Sequence, residues 1–248
     1  MERLSDLSLI PQAARGASIA IGNFDGVHLG HQAVIDQARR PDMPLGIMTF
    51  EPHPRSYFAA LNGAKPPAFR LMSPDAKANR LEKLGVDLLF EVPFDLALSQ
   101  LSPEAFVTEI IHDGLGARHV VVGKDFCFGQ DRAGNAVVLR EIAGTLGIEV
   151  TIAEMVAAAD TEVSSTNIRK ALADGTPREA QAMLGHWHRL EGPVIHGDAR
   201  GRDLGYPTAN MAIGDLHHPA YGVYAVLVDV LAGPHAGSYH GASSIGVR

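Results

Sequence analysis

The sequence is poor in cysteine and contains no long apolar run. A single cysteine among 248 residues, Cys127, excludes an intrachain disulfide and suits a reducing compartment. Its aromatic and apolar neighbours predict that this thiol is packed as a small hydrophobe. No apolar stretch approaches the ~20 residues of a membrane span, and the N-terminal MERLSDLSLIPQAARG lacks the apolar core of a signal peptide. We therefore expect a cytoplasmic protein with no membrane partner.

The sequence also lacks an excess of positive charge. It has 21 Lys and Arg against 28 Asp and Glu, a net charge of −7. Residues 1–185 hold 17 of the basic and 23 of the acidic side chains, so the remainder, with 4 and 5, hides no basic tail. Because nucleic-acid binding needs a basic face, we expect no nucleic-acid partner. Any phosphate must therefore be bound by a local arrangement of donors.

The first 185 residues alternate short apolar runs with amphipathic stretches, which predicts a parallel sheet covered by helices on both faces. Predicted strands lie at 18–21, 45–50, 87–92, 119–122 and 149–152. Predicted helices lie near 31–40, 75–84, 103–113, 136–146 and 165–173. Ser73 and Ser102, each followed by proline, are predicted N-caps, and TPRE at 176–179 is a capping-box pattern. Predicted helix ends fall at Gly85, Gly114 and Gly147.

The pattern changes near residues 185–189. Beyond them the strand-like runs LEGPVIHG, GVYAVLVDVL and GSYHGASSIGV are broken by Gly, Pro and Asp, which is typical of an antiparallel barrel or sandwich. We therefore divide the chain into residues 1–185 and 186–248, and we expect the first unit to be complete without the second. Apart from the motif histidines discussed next, we assign the histidines, including His217 and His218, to surface loops.

The stretch GNFDGVHLGH, residues 22–31, joins the first predicted strand to the first helix. Ligands bind beyond the carboxyl ends of parallel strands. Gly22 and Gly26 would let the backbone approach a ligand, and the helix start with His28 and His31 offers donors to a transferring phosphoryl group. A zinc site sharing the two histidines is an alternative that lacks a complete ligand set. A plain turn with solvent-exposed histidines is the other alternative.

Two further motifs fall at the same predicted edge of the sheet. In TFEPHP, Phe50 and the prolines around His53 suit a flat aromatic ring, although a proline-rich turn would also explain the prolines. GKDFCFG departs from a Walker A motif, and we interpret it as a strand-end turn that contributes Asp125 and backbone to ligand binding.

The stretch VSSTNIR, residues 163–169, places three hydroxyls and Arg169 at the start of a helix. Hydroxyls and free N–H groups at a helix start bind phosphate, and an arginine can grip the same anion bidentately. Simple N-capping is the alternative, but it needs only one hydroxyl.

These motifs, together with FRLMSPDAKANRLEKLGVD and VVGKDFCFGQDRAGN, resemble in order the bacterial bifunctional riboflavin kinase/FAD synthetases. The H-x-G-H element alone specifies only a nucleotidyltransferase superfamily, whereas the ordered set is highly specific. The resemblance implies an α/β fold: a Rossmann-like nucleotidyltransferase domain with a parallel sheet, followed by an incomplete antiparallel β-barrel of riboflavin-kinase type.

The resemblance implies transfer of AMP from ATP to FMN, giving FAD and pyrophosphate, with Mg²⁺ arriving on ATP. A nucleotidyltransferase with another phosphate acceptor and a non-catalytic flavin- or nucleotide-binding remnant are the alternatives. The implied site consists of catalytic His28, His31 and Arg169; nucleotide-binding Gly22, Asn23, Phe24, Asp25, Gly26, Gly123, Asp125, Ser164, Ser165 and Thr166; and flavin-binding Phe50, Pro52, His53, Pro54, Phe58 and Phe126.

In the second unit, PTAN at 207–210 matches the kinase module of the same family. The match implies that Thr208 and Asn210 hold Mg²⁺ and ATP phosphates, as hard oxygen ligands can. The family's kinase module continues past the equivalent of Arg248, and its general-base glutamate lies in that later stretch. From the sequence we therefore expect riboflavin phosphorylation to be lost or incomplete in this chain.

Overall fold

A computed structural model describes residues 1–64, 68–154, 157–158, 161–197, 205 and 208–246. Its centre is a six-stranded parallel sheet with the strand order β1-β4-β3-β2-β5-β8. A short antiparallel pair, β6 with β7, follows β5. The strands of this part are β1 (Glu2–Leu4), β2 (Ser18–Ile21), β3 (Leu45–Glu51), β4 (Leu88–Pro93), β5 (His119–Gly123), β6 (Cys127–Phe128), β7 (Gly134–Asn135) and β8 (Glu149–Ala153).

Helices cover both faces of this sheet. The α-helices are α1 (Leu29–Gln37), α2 (Pro54–Leu61), α3 (Pro74–Lys83), α4 (Leu96–Ser99), α5 (Pro103–Ala105), α6 (Ala136–Thr145), α7 (Ser165–Ala173) and α8 (Pro177–Leu184). A π-helix spans Phe106–Gly114, and 3₁₀ turns span Leu7–Leu9, Gln12–Ala14 and Gln130–Arg132. Within the described ranges, no helix has the length and apolar character needed to cross a membrane.

The five predicted strands of the first unit are confirmed to within a residue at each end. Strand β1 was not predicted, because three residues are too few to show a period; it pairs in parallel with β4 at the edge of the sheet. Helix α2 was also missed, because its proline-rich start reads as a turn. Pro54 in fact occupies the first helical turn, and His53 Nδ1 accepts a hydrogen bond from the Arg55 N–H.

The predicted N-caps differ in outcome. Ser73 and Ser102 each accept a hydrogen bond from the N–H three residues later, as predicted. The predicted capping box at Thr176 is wrong, because its side chain makes no cap hydrogen bond and instead donates to the Ala171 carbonyl at 3.0 Å. A sequence pattern cannot anticipate that a carbonyl of the preceding helix competes for this hydroxyl.

The helix ends at Gly85 and Gly147 are confirmed, since both residues follow a helix with positive φ. Gly114 is the last residue of the π-helix, but the left-handed position falls two residues later, at Gly116 with φ +62°. The wider π turn therefore moves the reversal of the chain beyond the predicted glycine.

The core has two layers because successive strand residues point to opposite faces of the sheet. Ile19 and Ile21 of β2 pack on the layer that the π-helix and α6 cover, whereas Ala20 packs on the layer that α1 and α3 cover. Both faces of the central strands are buried, which is why these strands are nearly continuous apolar runs.

The C-terminal unit consists of antiparallel strand pairs, as predicted. In this unit, strand β11 (Val194–Ile195) pairs with β12 (Asn210–Met211), whereas the small antiparallel pair β9 (Ala157–Ala158) and β10 (Thr161–Glu162) belongs to the first unit. The nine-residue strands β13 (Gly222–Val230) and β14 (Gly237–Ile245) form a long hairpin.

The two units are in contact. Leu216 is 3% exposed and forms a parallel bridge with Arg70, and the Ala220 N–H donates to the Leu172 carbonyl at 2.8 Å. The assignment of the remaining histidines to surface loops is confirmed for the exposed His218 but is wrong for His119. His119 is fully buried in the sheet, where its ring nitrogens contact the hydroxyls of Ser18 and Thr151.

We predict that Leu139→Ala on α6 lowers the free energy of unfolding by about 2–5 kcal/mol, because Leu139 is fully buried in the core. The matched control is Val137→Ala on the same helix, where the side chain is 57% exposed and alanine is the better helix former. Urea unfolding of both variants measures the difference. Equal destabilisation would contradict this placement of α6.

Candidate functional site

A cleft of about 950 Å³ opens at the carboxyl ends of the parallel strands. Its walls come from the segments that follow β2, β3, β5 and β8, and from the first turn of α7. The chain passes from β2 to β3 on one side, and β5 lies on the other side of β2, so the strand order reverses beside β2. Open parallel sheets bind ligands at such a point of reversal.

The segment between β2 and α1 has a strained backbone. Phe24 and Val27 are buried non-glycine residues with φ of 49° and 42°, and Gly26 has φ +92°. Such conformations persist only where the surroundings enforce them, and they concentrate at functional sites. Gly26 itself does not line the cleft: a Cβ there would lie 2.8 Å from Leu71 Cδ1, so this glycine allows close packing of the protein.

The histidines of H-x-G-H form a stacked pair in the cleft. The rings of His28 and His31 lie 3.6 Å apart at an angle of 16°, and His28 Nδ1 accepts the His31 N–H at the start of α1. The proton of a neutral His28 is therefore on Nε2. A Cβ on Gly30 would lie 3.1 Å from His28 Nδ1, which explains the glycine between the histidines.

Both stacked histidines are uncharged near neutral pH. Burial lowers the pKa of His28 to about 4, and the positive charge of Arg169 adds to this effect. Burial also lowers the pKa of His31 well below its ordinary value, helped by His28 and Lys77. His31 Nδ1 is buried without a hydrogen-bond partner. The pair thus offers neutral, directional hydrogen-bonding groups, and His31 Nδ1 can still form a hydrogen bond to a ligand.

The side chain of Arg169 is anchored at the start of α7. Its Nη2 lies 2.5 Å from Asp25 Oδ2, and its Nε donates to the Phe69 carbonyl at 2.6 Å. The other oxygen of Asp25 accepts the N–H groups of Leu71 and Met72. Asp25 is 6% exposed, so this carboxylate fastens Arg169 and the 69–72 segment to the motif.

The three hydroxyls of VSSTNIR have different environments. Ser164 caps α7 by accepting the Asn167 N–H, and Ser165 Oγ donates to the Asp25 carbonyl at 2.8 Å. Thr166 is exposed and lines the cleft with the other two. Ser164 is therefore an N-cap, and the start of α7 still presents N–H groups without intrahelical partners.

A buried ionic network that the sequence did not indicate supports the segment after β3. Arg70 donates to both oxygens of Glu51 at 2.8 and 2.6 Å, and Lys77 Nζ donates to Glu51 and to Thr49 Oγ1, both at 2.9 Å. Burial would raise the pKa of Glu51, but the hydrogen bonds and charges of Arg70 and Lys77 outweigh it and lower this pKa. No local pattern reveals these partners, which lie 19 and 26 positions apart.

One wall of the cleft is aromatic. It includes three residues predicted to contact a flat ring: Phe50, the 45% exposed Phe58 of α2, and Phe126, which stacks on Phe128 at 5.5 Å. Phe69 was not predicted; its ring contacts His53 edge-on, and the guanidinium groups of Arg55 and Arg169 lie 4.7 and 5.4 Å from its centroid. Aromatic rings and paired cations can hold an aromatic ligand that carries phosphate.

The turn after β5 completes the opposite rim. Gly123 and Asp125 line the cleft, and a Cβ on Gly123 would lie 2.9 Å from Asp125 Oδ1. The prediction that Cys127 is packed is wrong: the thiol is exposed at the cleft. Side chains alternate along the two-residue strand β6, so burial of Phe128 directs Cys127 outward.

The cleft thus gathers every predicted residue of the first unit except Gly26 and Pro52. Pro52 follows a cis peptide bond with Glu51. Thr208 and Asn210 lie outside the cleft, where Asn210 belongs to β12 and its side chain covers Gly197. Pro207 of the same motif lies outside the described residues. In the described part of the chain, no three His, Cys, Asp or Glu side chains are grouped to hold a metal ion.

Comparison with family models gives two matches along the chain. The model described as FAD synthetase matches residues 10–167, and the model described as riboflavin kinase matches residues 184–248. The first match covers the segments that build the cleft up to the first turn of α7.

Similar curated proteins carry both activities in their names. A bifunctional riboflavin kinase/FMN adenylyltransferase of Listeria monocytogenes is 41% identical over 224 residues, which cover 88% of this chain and 70% of that protein. The Escherichia coli K12 protein of the same name is 36% identical, over 91% of this chain and 71% of its own length. A crystal structure from Streptococcus pneumoniae, described as a macrolide-efflux protein, is similar with a TM-score of 0.81 and 30% identity, covering 99% of this chain and 78% of that one. Its description differs from those of the sequence relatives, and we use this likeness for the fold alone.

We predict that acid destabilises the protein partly through His28. The folded-state pKa of about 4 lies below the ordinary 6.5, so between these values the unfolded chain binds the proton and the folded chain does not. This contribution is intact above about pH 6.5 and is lost as the pH falls towards 4, amounting to up to about 2 kcal/mol between pH 7 and pH 5.

The measurement is urea unfolding at both pH values for the unmodified protein and for His28→Asn, which keeps an N-cap acceptor without a titrating ring. The variant should lose less stability on acidification. Parallel losses would show that His28 is not a buried neutral ring.

Proposed function

This chain belongs to the bacterial bifunctional riboflavin kinase/FMN adenylyltransferase family and is an FAD synthase, and from this premise we propose that its cleft joins ATP to FMN with His28, His31 and Arg169 as the groups that contact the reacting phosphates. The observation that carries the proposal is the stacked neutral histidine pair facing the same cleft as the anchored Arg169. The relatives favour neither a different phosphate acceptor nor a non-catalytic remnant.

The reaction is an in-line displacement at the α-phosphorus of ATP. An oxygen of the FMN phosphate forms a new bond to this phosphorus, the bond from it to the bridging oxygen of the β-phosphate breaks, and pyrophosphate leaves. No covalent intermediate with the protein is required. Catalysis then depends on holding the two substrates in line and on stabilising the charge that develops on the phosphate oxygens.

The histidines are suited to the second task because they are neutral. A charged ring would bind ATP strongly before the reaction, whereas a fixed neutral donor gains most as negative charge develops on the oxygens around the α-phosphorus. In the proposal, His28 and His31 contact the α- and β-phosphates, and the unpartnered His31 Nδ1 supplies unused hydrogen-bonding capacity.

The start of α7 is the proposed binding place of the outgoing pyrophosphate. Its free N–H groups, the Thr166 hydroxyl and the Arg169 guanidinium face the cleft together. Gly22, Asn23 and the turn at Gly123 and Asp125 are proposed to contact the remainder of the nucleotide. The aromatic wall with Phe58 and Phe126 is proposed to bind the flavin ring, which is planar and aromatic.

Mg²⁺ is proposed to enter with ATP. The triphosphate supplies most ligands of this ion in such sites, where it retains several water molecules and needs few protein carboxylates. Asp125 is exposed at the rim and could supply one such oxygen. When bound, the ion would neutralise phosphate charge.

In the second unit, Thr208 and Asn210 are proposed to contact Mg²⁺ and ATP phosphates for riboflavin phosphorylation. We also propose a cytoplasmic location, where ATP is available.

The direct test is incubation with ATP, Mg²⁺ and FMN, followed by separation of flavins and measurement of pyrophosphate. FAD and pyrophosphate should appear in equal amounts. A parallel incubation with riboflavin as the sole flavin measures the kinase activity of the second unit separately. Absence of FAD from FMN under these conditions would contradict the proposed reaction.

We predict that His31→Ala lowers kcat for FAD formation by roughly 10²–10³, with a much smaller change in ATP affinity, because the donor acts mainly in the transition state. The control is His112→Ala, which removes an exposed histidine far along the π-helix that contacts only Asp113. Steady-state kinetics with varied ATP measure both constants. Unchanged turnover of the His31 variant would remove this residue from the mechanism.

We predict that Arg169→Ala raises KM for ATP and for pyrophosphate by about tenfold or more, since charged hydrogen bonds to phosphate are lost. Arg169→Lys should restore little, because a point charge cannot replace the planar fork that Asp25 and Phe69 hold. Lys170→Ala is the matched control, as that exposed side chain pairs only with Asp174. Full rescue by lysine would show that net charge alone matters.

A further inference from the structure

A segment of the second unit runs along the wall of the adenylyl-transfer cleft. The Asp215 carbonyl accepts the N–H groups of Phe69 and Arg70 at 3.0 and 3.2 Å, and the His217 N–H donates to the Arg70 carbonyl at 2.7 Å. Leu216, between them, is buried. Residues 215–217 therefore form a single parallel β-bridge with the 69–71 segment, although the riboflavin kinase family model is the one that covers them.

The ring of His217 connects residues 215–217 to α7. Its Nε2 donates to the Arg169 carbonyl at 2.9 Å, and the backbone of Ala68 also hydrogen-bonds the ring. Farther along, the Ala220 N–H donates to the Leu172 carbonyl, one turn beyond Arg169. The helix that carries Arg169 is thus tied to the segment that carries Phe69 by a residue from the second unit.

Hydrogen bonds hold the Arg169 guanidinium from two sides. The Phe69 carbonyl accepts from Arg169 Nε, while the Phe69 N–H donates to Asp215. On the opposite side, Asp25 accepts from Arg169 and from the Leu71 N–H. The direction of the guanidinium therefore depends on the 69–71 segment, and that segment has the motif loop on one side and residues 215–217 on the other.

We propose that His217 is a positioning residue of adenylyl transfer: by bonding the Arg169 carbonyl and the backbone of residues 68–70, it sets the direction in which Arg169 meets the phosphates. This inference rests on the proposed role of Arg169. The residues that line the cleft all belong to the first unit, and the proposal makes the direction of one of them, Arg169, depend on the second unit.

The experiment measures kcat and KM for ATP in FAD formation with the full chain carrying His217→Ala, His217→Gln, His217→Asn or His218→Ala. His218 is the exposed neighbour and serves as the matched control. Loss of this partly buried hydrogen bond should raise KM for ATP by about fivefold to tenfold in His217→Ala. Gln places an amide N–H where His Nε2 lies and should restore most of the affinity, whereas the shorter Asn should not.

A double variant separates positioning from general stability. If His217 acts through Arg169, adding His217→Ala to Arg169→Ala changes KM by no more than about twofold, whereas two independent effects on KM would multiply. If His217→Ala prevents folding, His217→Asn takes its place in the same comparison.

Three results would overturn the inference, and a fourth would refute the role of Arg169 on which it rests. A His217 variant indistinguishable from His218→Ala would overturn the inference, as would equal losses for Gln and Asn or multiplicative effects in the double variant. An Arg169→Ala protein with unchanged kinetics would instead refute the proposed role of Arg169, which distinguishes that failure from failure of the His217 inference.

Discussion

The Asp25 carboxylate is the interaction on which the site depends. It is almost fully buried, and its two oxygens bind Arg169 on α7 and the N–H groups of residues 71 and 72. A buried carboxylate is stable only with such partners, and removal of one partner leaves an uncompensated charge. The motif loop, the 69–72 segment and α7 therefore hold one another in place, and these are the segments that surround the reacting phosphates in our proposal.

This arrangement explains how an acidic protein can handle polyphosphate. Arg169, which lines the cleft, is already paired with Asp25, and the buried Arg70 and Lys77, which do not line it, are paired with Glu51. These paired cations fix the orientation of hydrogen-bond donors more than they add net positive charge. Burial lowers the pKa values of the neighbouring histidines and keeps the rings neutral. Such a site stabilises charge where it develops, and it needs no basic surface around it.

The sequence predicted the parallel sheet because strands buried on both faces are apolar throughout, and it predicted the histidine pair because H-x-G-H follows the first strand. It also named Arg169, from hydroxyls at a helix start. What it could not predict was how charges are paired in three dimensions. Asp25, named as a nucleotide-binding residue, also holds Arg169, and Glu51 and Lys77 meet across 26 positions. Cys127 was misplaced because a two-residue strand shows no period.

The same limit applies to the boundary between the units. A change in residue pattern near 185–189 identifies where helices give way to antiparallel strands, but it carries no information on which strands touch the preceding sheet. Here residues 215–217 form a β-bridge with the 69–71 segment, and His186 Nε2 lies 3.1 Å from the Gly26 carbonyl. Both anchored segments, the motif loop and the wall that holds Arg169, thus contact residues beyond 185. The two units are thus joined through contacts at these segments, and in our proposal the second unit supports the geometry that the first unit uses.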